Sequence, residues 1–319
     1  MKLIIQIPCY NEEATLPAVL ADLPREIPGV AAVETLVIDD GSTDRTVAVA
    51  HELGVDHIVR LGRNRGLATA FRAGVEACLA LGADIVVNTD GDNQYCGADV
   101  PALVAPVLAR EAEIVVGERP IDTTEHFSPL KKLLQRLGSW VVRRLSGTPV
   151  RDAASGFRAF SRLALERLNL LTDYSHTMEL LIQAGRMRLP VAGVPIRTNR
   201  KMRESRLFHS LAGYVSYSAA TILRVWLNYS ALRVFLGAAA LFLLGGVGLG
   251  VRFLYFFATG QGQGHVQSLI LTAVLLFVGF QLVVIGLLAD MVGSNRRLLE
   301  SLMTEVRRLR YGRGSGSGD

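Results

Sequence analysis

Along the first 120 residues, short runs rich in Ile and Val alternate with longer stretches in which apolar residues recur every three or four positions. Leu3 to Ile7, Thr35 to Ile38, His57 to Leu61, Asp84 to Asn88 and Glu113 to Val116 are the short runs. Their length and β-branched content predict strands. Between the third and fourth, Leu67, Phe71, Gly74, Cys78 and Leu81 fall on one face of a helix that Gly82 can terminate. The alternation predicts an α/β fold: a mostly parallel, Rossmann-like sheet with helices on both faces and ligands bound at the carboxyl ends of its strands.

After Ile196 the pattern changes. Arg197, Arg200, Lys201, Arg203 and Arg206 open a stretch in which Leu207, Leu211, Tyr214, Val215, Ser218, Ile222, Val225 and Trp226 recur at spacings of three and four. A basic segment leading into an amphipathic one fits a membrane surface better than a nucleic acid, and no nucleic-acid partner is expected. Val234 to Val251 then carries no charge and continues, after Arg252, through Phe253 to Ala258; Ser268 to Ala289 is a second uncharged run. Both approach the roughly 20 residues a helix needs to cross the hydrocarbon. The connection from Thr259 to Gln267 has no Lys or Arg, whereas Arg224 and Arg233 precede the first span and Arg296, Arg297, Arg307, Arg308 and Arg310 follow the second. The positive-inside rule then places the N-terminal domain and both termini in the cytoplasm, in an integral protein of the cytoplasmic membrane. Arg252 is expected near the outer interface, where a long side chain snorkels to the headgroups.

Composition refines this picture. A chain of 319 residues accommodates an α/β domain plus an appendage, and the 20% of charged residues lie largely outside the apolar runs. Met1 to Pro8 is too short for the apolar region of a signal peptide. Cys9, Cys78 and Cys96 have neither zinc-like nor redox-pair spacing and read as free thiols. Gly246 and Gly250 have the small-xxx-small spacing that brings membrane helices together, so a homo-oligomer through these spans is an expectation, and Gln281 could add an interhelical hydrogen bond. The Gly and Ser alternation after Tyr311 has the composition of a flexible end.

Chemistry concentrates at the predicted strand ends. Asn88-Thr89-Asp90-Gly91-Asp92-Asn93-Gln94 follows the fourth strand and brings two carboxylates to the crevice edge. Carboxylates so spaced can share Mg²⁺ or Mn²⁺, which favour oxygen ligands and keep positions open for phosphate. The same residues also suit a solvated turn. The second strand ends in Asp39-Asp40-Gly41-Ser42-Thr43-Asp44, where Ser42 is positioned to cap a helix, and the first in Pro8-Cys9-Tyr10-Asn11-Glu12.

These motifs, with Asn64-Arg65-Gly66, occur in the order and at the spacings of glycosyltransferase family 2, which the first two hundred residues resemble. Val116-Gly117-Glu118-Arg119 and Asp152-Ala153-Ala154-Ser155-Gly156-Phe157-Arg158 resemble its polyprenyl-phosphate branch, which includes dolichyl-phosphate mannose synthases. The resemblance implies a GT-A type fold and inverting transfer of a sugar from a nucleotide-sugar donor to a dolichyl or undecaprenyl phosphate acceptor. By position, Pro8, Tyr10, Glu12, Asp39, Asp40, Asn64, Gly66, Asp90 and Gly91 would bind the donor, and Asp90, Asp92 and Gln94 would hold Mg²⁺ or Mn²⁺. Such a cation neutralises charge on the departing nucleoside diphosphate.

For the acceptor phosphate the candidates are Arg119, Lys131 and Lys132, with Arg200, Ser205 and Arg206 from a segment similar to the family's acceptor loop. In that loop Arg203 stands where the family has Gly, removing backbone freedom, and Arg206 stands where it has Lys. Asp92, Asp152 and Glu179 are the candidate catalytic carboxylates. A phosphate monoester has a second pKa near ~6 and is largely dianionic at neutral pH, so Asp152 is expected to position more than to deprotonate. Four stretches result: the GT-A domain (residues 1–206), interfacial helices (207–231), a two-helix transmembrane domain (232–290) and a basic cytoplasmic tail (291–319). The competing expectations are a processive polysaccharide synthase, against which stand two spans and no Q-x-x-R-W element, and a non-catalytic nucleotide-sugar-binding module.

Overall fold

The computed structural model describes residues 1–120, 129–168, 176–199, 211–260 and 266–311. Seven strands form one sheet: β1 (Lys2–Cys9), β2 (Ala32–Asp39), β3 (His57–Arg60), β4 (Ile85–Asn88), β5 (Ile114–Glu118), β6 (Arg158–Ser161) and β7 (Val191–Pro195). Their spatial order is β3-β2-β1-β4-β6-β5-β7. Every neighbour pair is parallel except those made by β6, which runs antiparallel to both β4 and β5.

Strand alternation divides the core between two faces. Leu3, Ile5 and Ile7 of β1 point to one side with Val37, Val87 and Val115, against Leu16 and Val19 of α1 (Leu16–Asp22) and Val100, Leu103 and Val104 of α4 (Val100–Leu108). On the other side lie Ile4, Leu36, Ile38 and Phe160, covered by α3 (Leu67–Ala80), whose Phe71 meets Phe160 edge to face at 5.8 Å. Gly74 lets α3 approach closely, since a Cβ there would come within 2.4 Å of the Gln6 amide and 2.8 Å of Ile38. Each fully buried aliphatic side chain contributes about 1.5–3 kcal/mol on transfer from water. The remaining helices of this unit are α2 (Thr46–Glu52), α5 (Pro129–Ser146), α6 (Arg162–Arg167) and α7 (His176–Arg186).

Two long helices follow, α8 (Leu211–Ala258) and α9 (Val266–Tyr311). The chain divides into two compact units, Met1–Ile222 with Leu302–Asp319, and Leu223–Ser301, so both boundaries fall inside long helices. Leu232–Ala258 and Val266–Asn295 are each long and apolar enough to cross a membrane, and only 11% and 17% of their most apolar stretches are buried, which distinguishes them from core helices of a soluble protein.

Within this second unit the small residues are occupied by the chain's own other helix. A Cβ on Gly246 would come within 2.9 Å of Leu276, one on Gly250 within 3.2 Å of Thr272, and one on Gly279 within 2.7 Å of Leu243. The close approach expected to join two copies is thus used inside one chain, and nothing here supports the expected homo-oligomer. Gln281 lies exposed on α9.

The final turns of α9 belong to the first unit. Arg307 is buried, with Nε donating to Glu76 of α3 at 2.7 Å and Nη1 donating to the carbonyl of Leu168 just past α6 at 2.5 Å. Arg162, in turn, donates to the Tyr311 carbonyl. Cationic groups at the end of α6 complement the partial negative charge of its last carbonyls.

Candidate active site

The loops after β1 and β2 are tied to each other. Asn11, in left-handed backbone (φ 55°), donates its N–H to Ser42 Oγ at 3.0 Å and accepts from Thr43 N–H at 2.8 Å. Glu12 N–H donates to Thr46 Oγ1 at 2.8 Å and Glu13 accepts from Arg45 N–H at 2.8 Å. The sequence suggested Ser42 as a helix cap, but α2 begins only at Thr46. Asp44 serves that end instead, its Oδ1 accepting from Thr46 N–H at 3.0 Å.

Asp39 and Asp40 are buried with separate tasks. Asp39 accepts from Ser42 N–H at 2.9 Å, while Asp40 accepts from Arg65 N–H at 2.8 Å and Gly66 N–H at 2.9 Å, setting the Asn64-Arg65-Gly66 turn that opens α3. Gly41 (φ +78°) lies so near this turn that a Cβ would come within 2.4 Å of the Arg63 carbonyl carbon. The expected donor residues Asp39, Asp40, Asn64 and Gly66 are therefore brought together. Pro8 is buried at the end of β1 and Tyr10 is exposed. Glu12 is buried, with Thr15 Oγ1 2.6 Å from its Oε2 and 2.7 Å from the Gly91 carbonyl, which binds the first loop to the β4 turn.

At the end of β4, Gly91 packs against β1, where a Cβ would meet Cys9 and Glu12 at 3.1–3.2 Å. Asp92 accepts from Gln94 N–H at 3.2 Å, and Asn93 takes left-handed backbone (φ 57°) to close the turn. Burial pushes the Cys9 thiol well up, and Glu12, Asp39, Asp44 and Asp90 push it further, so this strand edge is a concentration of negative charge. Among the described residues no three acidic, His or Cys side chains cluster as metal ligands. The donors fit a hard cation of the Mg²⁺ or Mn²⁺ kind nonetheless. Asp90, Asp92 and Gln94 offer oxygens only, and Gly156 leaves space where a Cβ would press on the Asp90 carboxylate at 3.1–3.3 Å.

In the loop before β6 lies Asp152, held by Arg119 in a two-pronged pair, Nε to Oδ2 at 2.7 Å and Nη2 to Oδ1 at 3.0 Å, with side-chain exposures of 10% for Arg119 and 1% for Asp152. Burial disfavours the Arg119 charge, but Tyr95, Asp152 and Asp90 together hold its pKa above the ordinary value. Arg158, quoted in the sequence motif without a role, is fully buried and organises this side. It donates to the carbonyls of Ser155 at 2.9 Å, Ala153 at 2.8 Å and Thr177 at 2.7 Å. Burial pushes its pKa down to about 10 against the pull of Asp152. Its bond to Thr177 ties the first turn of α7 to the Asp152 loop. Glu179 follows on that helix, buried, with Gln183 Nε2 at 3.4 Å. Ser155 Oγ is buried with no partner among the described residues.

Lys131 and Lys132 fall in the first turn of α5, whose backbone alone is described there. Arg200, Ser205 and Arg206 lie outside the described residues. The segment leading to them is fixed to the β4 turn: Asn199 N–H donates to the Gln94 carbonyl at 3.0 Å, and Arg197 forks onto Asp99 at 2.6 and 2.9 Å. Cys9, Cys78 and Cys96 are free thiols.

The sheet order, with helices on both faces, defines a GT-A type fold. A similar fold occurs in glucosyl-3-phosphoglycerate synthase from Mycobacterium tuberculosis, solved with Mn²⁺, UDP and glucosyl-3-phosphoglycerate (TM-score 0.56, 23% identity, over 72% of this chain and 80% of that one). The model of Glycosyl transferase family 2 matches residues 4–168, just over half of the chain. Relatives include the UDP-N-acetylglucosamine–dolichyl-phosphate N-acetylglucosaminyltransferase of Methanococcus voltae, 31% identical over 60% of this chain and 83% of that protein. The polyprenol monophosphomannose synthase of Mycolicibacterium smegmatis is 29% identical over 64% and 80%. The chain belongs to glycosyltransferase family 2, and both of these relatives are named as enzymes of its polyprenyl-phosphate branch.

Proposed function

We propose that the protein transfers a sugar, with inversion, from a nucleoside-diphosphate sugar to a polyprenyl phosphate at the cytoplasmic face of a membrane. The observation that carries this reading is the gathering of two sets of groups at one edge of the sheet: the acidic turns with Asp39, Asp40, Asp90 and Asp92 after β2 and β4, and the buried Arg119–Asp152 pair that follows β5 and precedes β6. In this reading the first set faces the donor and the second the acceptor. Asp90, Asp92 and Gln94 would hold Mg²⁺ or Mn²⁺, which when bound stabilises negative charge on the departing diphosphate.

In this reading a phosphate oxygen of the acceptor forms a bond to the sugar's anomeric carbon as the bond from that carbon to the diphosphate breaks. The electron pair leaves with the nucleoside diphosphate. The acceptor dianion carries its own nucleophilic charge, so no side chain has to remove a proton. Asp152 is consistent with this, since both its oxygens are engaged by Arg119 and its part is to orient that guanidinium. Arg119, with Lys131, Lys132, Arg200, Ser205 and Arg206, would receive the acceptor phosphate.

Two features support a membrane face. Leu137 and Trp140 are more than half exposed on α5, on the same side as exposed Arg136 and Arg144, a combination that settles at headgroup level. The chain also leaves the first unit after Ile222 and returns at Leu302, with two span-length helices between. An even number of crossings puts both ends on one side, which the arginines flanking the spans assign to the cytoplasm.

The test is transfer of label from a panel of radiolabelled nucleotide sugars into organic-extractable lipid, with purified protein, a polyprenyl phosphate and Mg²⁺ or Mn²⁺. Label in the lipid phase that EDTA abolishes is the expected result. Polymer as the labelled product, or nucleotide-sugar binding with no turnover, would overturn it.

A further inference from the structure

The Asp90–Gln94 turn and the Asp152–Gly156 loop come from distant parts of the chain and carry the two halves of the proposed site. They meet at Gly156. Its N–H donates to the Tyr95 hydroxyl at 2.9 Å, and its carbonyl accepts from Asn88 Nδ2 at 2.9 Å. Asn88 is itself fixed by Gln6, whose Nε2 donates to Asn88 Oδ1 at 3.0 Å. Gly156 also faces the Asp90 carboxylate closely enough that a Cβ would fill the gap. Tyr95 directly follows Gln94, is 4% exposed, and stacks on Phe157 with ring centres 5.1 Å apart and an interplanar angle of 13°. Its backbone bridges to Thr198.

We infer that Tyr95 is a positioning residue, whose phenol holds the loop bearing Asp152 in register with the turn bearing Asp90 and Asp92. The inference rests on the transfer reading above. The hydroxyl is buried beside Phe157 and bonded to a backbone N–H, which makes it a spacer between the two halves and not a group that meets the reacting atoms. Setting the Asp152 loop sets the Arg119 fork, and so the place where an acceptor phosphate sits relative to the sugar. A displacement of about 1 Å between reacting partners costs on the order of a hundred-fold in rate. Asn88 and Arg158 hold carbonyls of this loop, but among the described residues only the Tyr95 hydroxyl ties one of its N–H groups to the residue that directly follows Gln94.

The variant is Tyr95→Phe in the full-length protein, which keeps the stack and removes the acceptor oxygen. Mn²⁺ titration, with free Mn²⁺ read by electron paramagnetic resonance, counts intact metal turns and gives their affinity. Transfer kinetics use the nucleotide sugar that labels lipid in the panel assay, with undecaprenyl phosphate as acceptor. Tyr95→Phe is expected to bind Mn²⁺ at wild-type stoichiometry and to keep the KM for the nucleotide sugar. Its kcat/KM for undecaprenyl phosphate per Mn²⁺ site should fall about ten-fold or more. Wild-type acceptor kinetics would overturn the role. So would a loss of Mn²⁺ sites in proportion to the loss of transfer, which is the signature of a merely structural residue. Wild-type protein that binds Mn²⁺ but moves no sugar to lipid fails the transfer reading itself and takes this role with it, an outcome visible before the variant is made.

Discussion

Arg119 and Asp152 meet fork to fork in the interior, both oxygens of the carboxylate engaged by one guanidinium 33 residues away in sequence. Removing one partner of a buried ion pair costs about 3–5 kcal/mol, more than the pair adds over an apolar substitute. Arg119→Ala is therefore expected to lower the thermal midpoint and the use of lipid phosphate together. The double variant Arg119→Ala/Asp152→Ala should be destabilised by less than the sum of the two single changes, as calorimetry of all four proteins would record. Strict additivity would mean that the pair is not coupled.

Asp92→Ala removes a carboxylate from the turn after β4, with the bond it accepts from Gln94 N–H, and leaves the turn's backbone tied through Thr89 to Gln6 and through Gln94 to Asn199. Transfer that depends on Mg²⁺ or Mn²⁺ is expected to be lost, with circular dichroism and thermal midpoint close to wild type. A fully active variant would take the metal role from this residue.

Ser155 carries a buried hydroxyl without a partner among the described residues, and such a group costs about 1–3 kcal/mol when left unsatisfied. Ser155→Ala is expected to be neutral or stabilising in thermal melts of the protein without substrates. A drop in the midpoint would mean that the hydroxyl is satisfied in solution.

The Asp44 carboxylate carries a directional acid signature. Partial burial raises its pKa, but hydrogen bonds from the Thr46 hydroxyl and the N–H groups of Thr46 and Glu13 outweigh that and bring it below the ordinary value. A folded-state pKa below the unfolded one means that this contribution is complete above the ordinary value of 3.8 and is lost as pH falls through the lowered one. Thermal midpoints measured from pH 6 down to pH 3 should fall less steeply for Asp44→Asn than for wild type. Identical slopes would remove Asp44 from the acid response.

Much of this architecture was legible because β-branched runs and turn residues speak locally. The first five strands lie where the Ile and Val runs predict them, within about three residues at each end, and α3 carries Phe71, Gly74 and Cys78 on its buried face as its spacing requires. β6 was not legible. Arg158 opens it with a charge, and only the tertiary structure reveals three carbonyls waiting for that guanidinium. β7 was equally hidden, being half-exposed at the sheet edge with Gly193 and Pro195 inside it. Of the site, the carboxylate-bearing turns could be read from sequence, since D-x-D and Asp-Asp-Gly-Ser end predicted strands. The pairing of Arg119 with Asp152 and of Tyr95 with Gly156 could not, because a sequence holds no record of which distant loops meet.

The bond from Arg307 to Glu76 spans 231 positions of the chain, and both apolar helices are synthesised between its two ends. The ribosome thus delivers the sheet early but withholds one of its packing pieces, the last turns of α9, until both long apolar helices have been made. Nascent chains stalled before residue 302 would hold a sheet still open to protease along α3 and α6, and release of the full chain would close it.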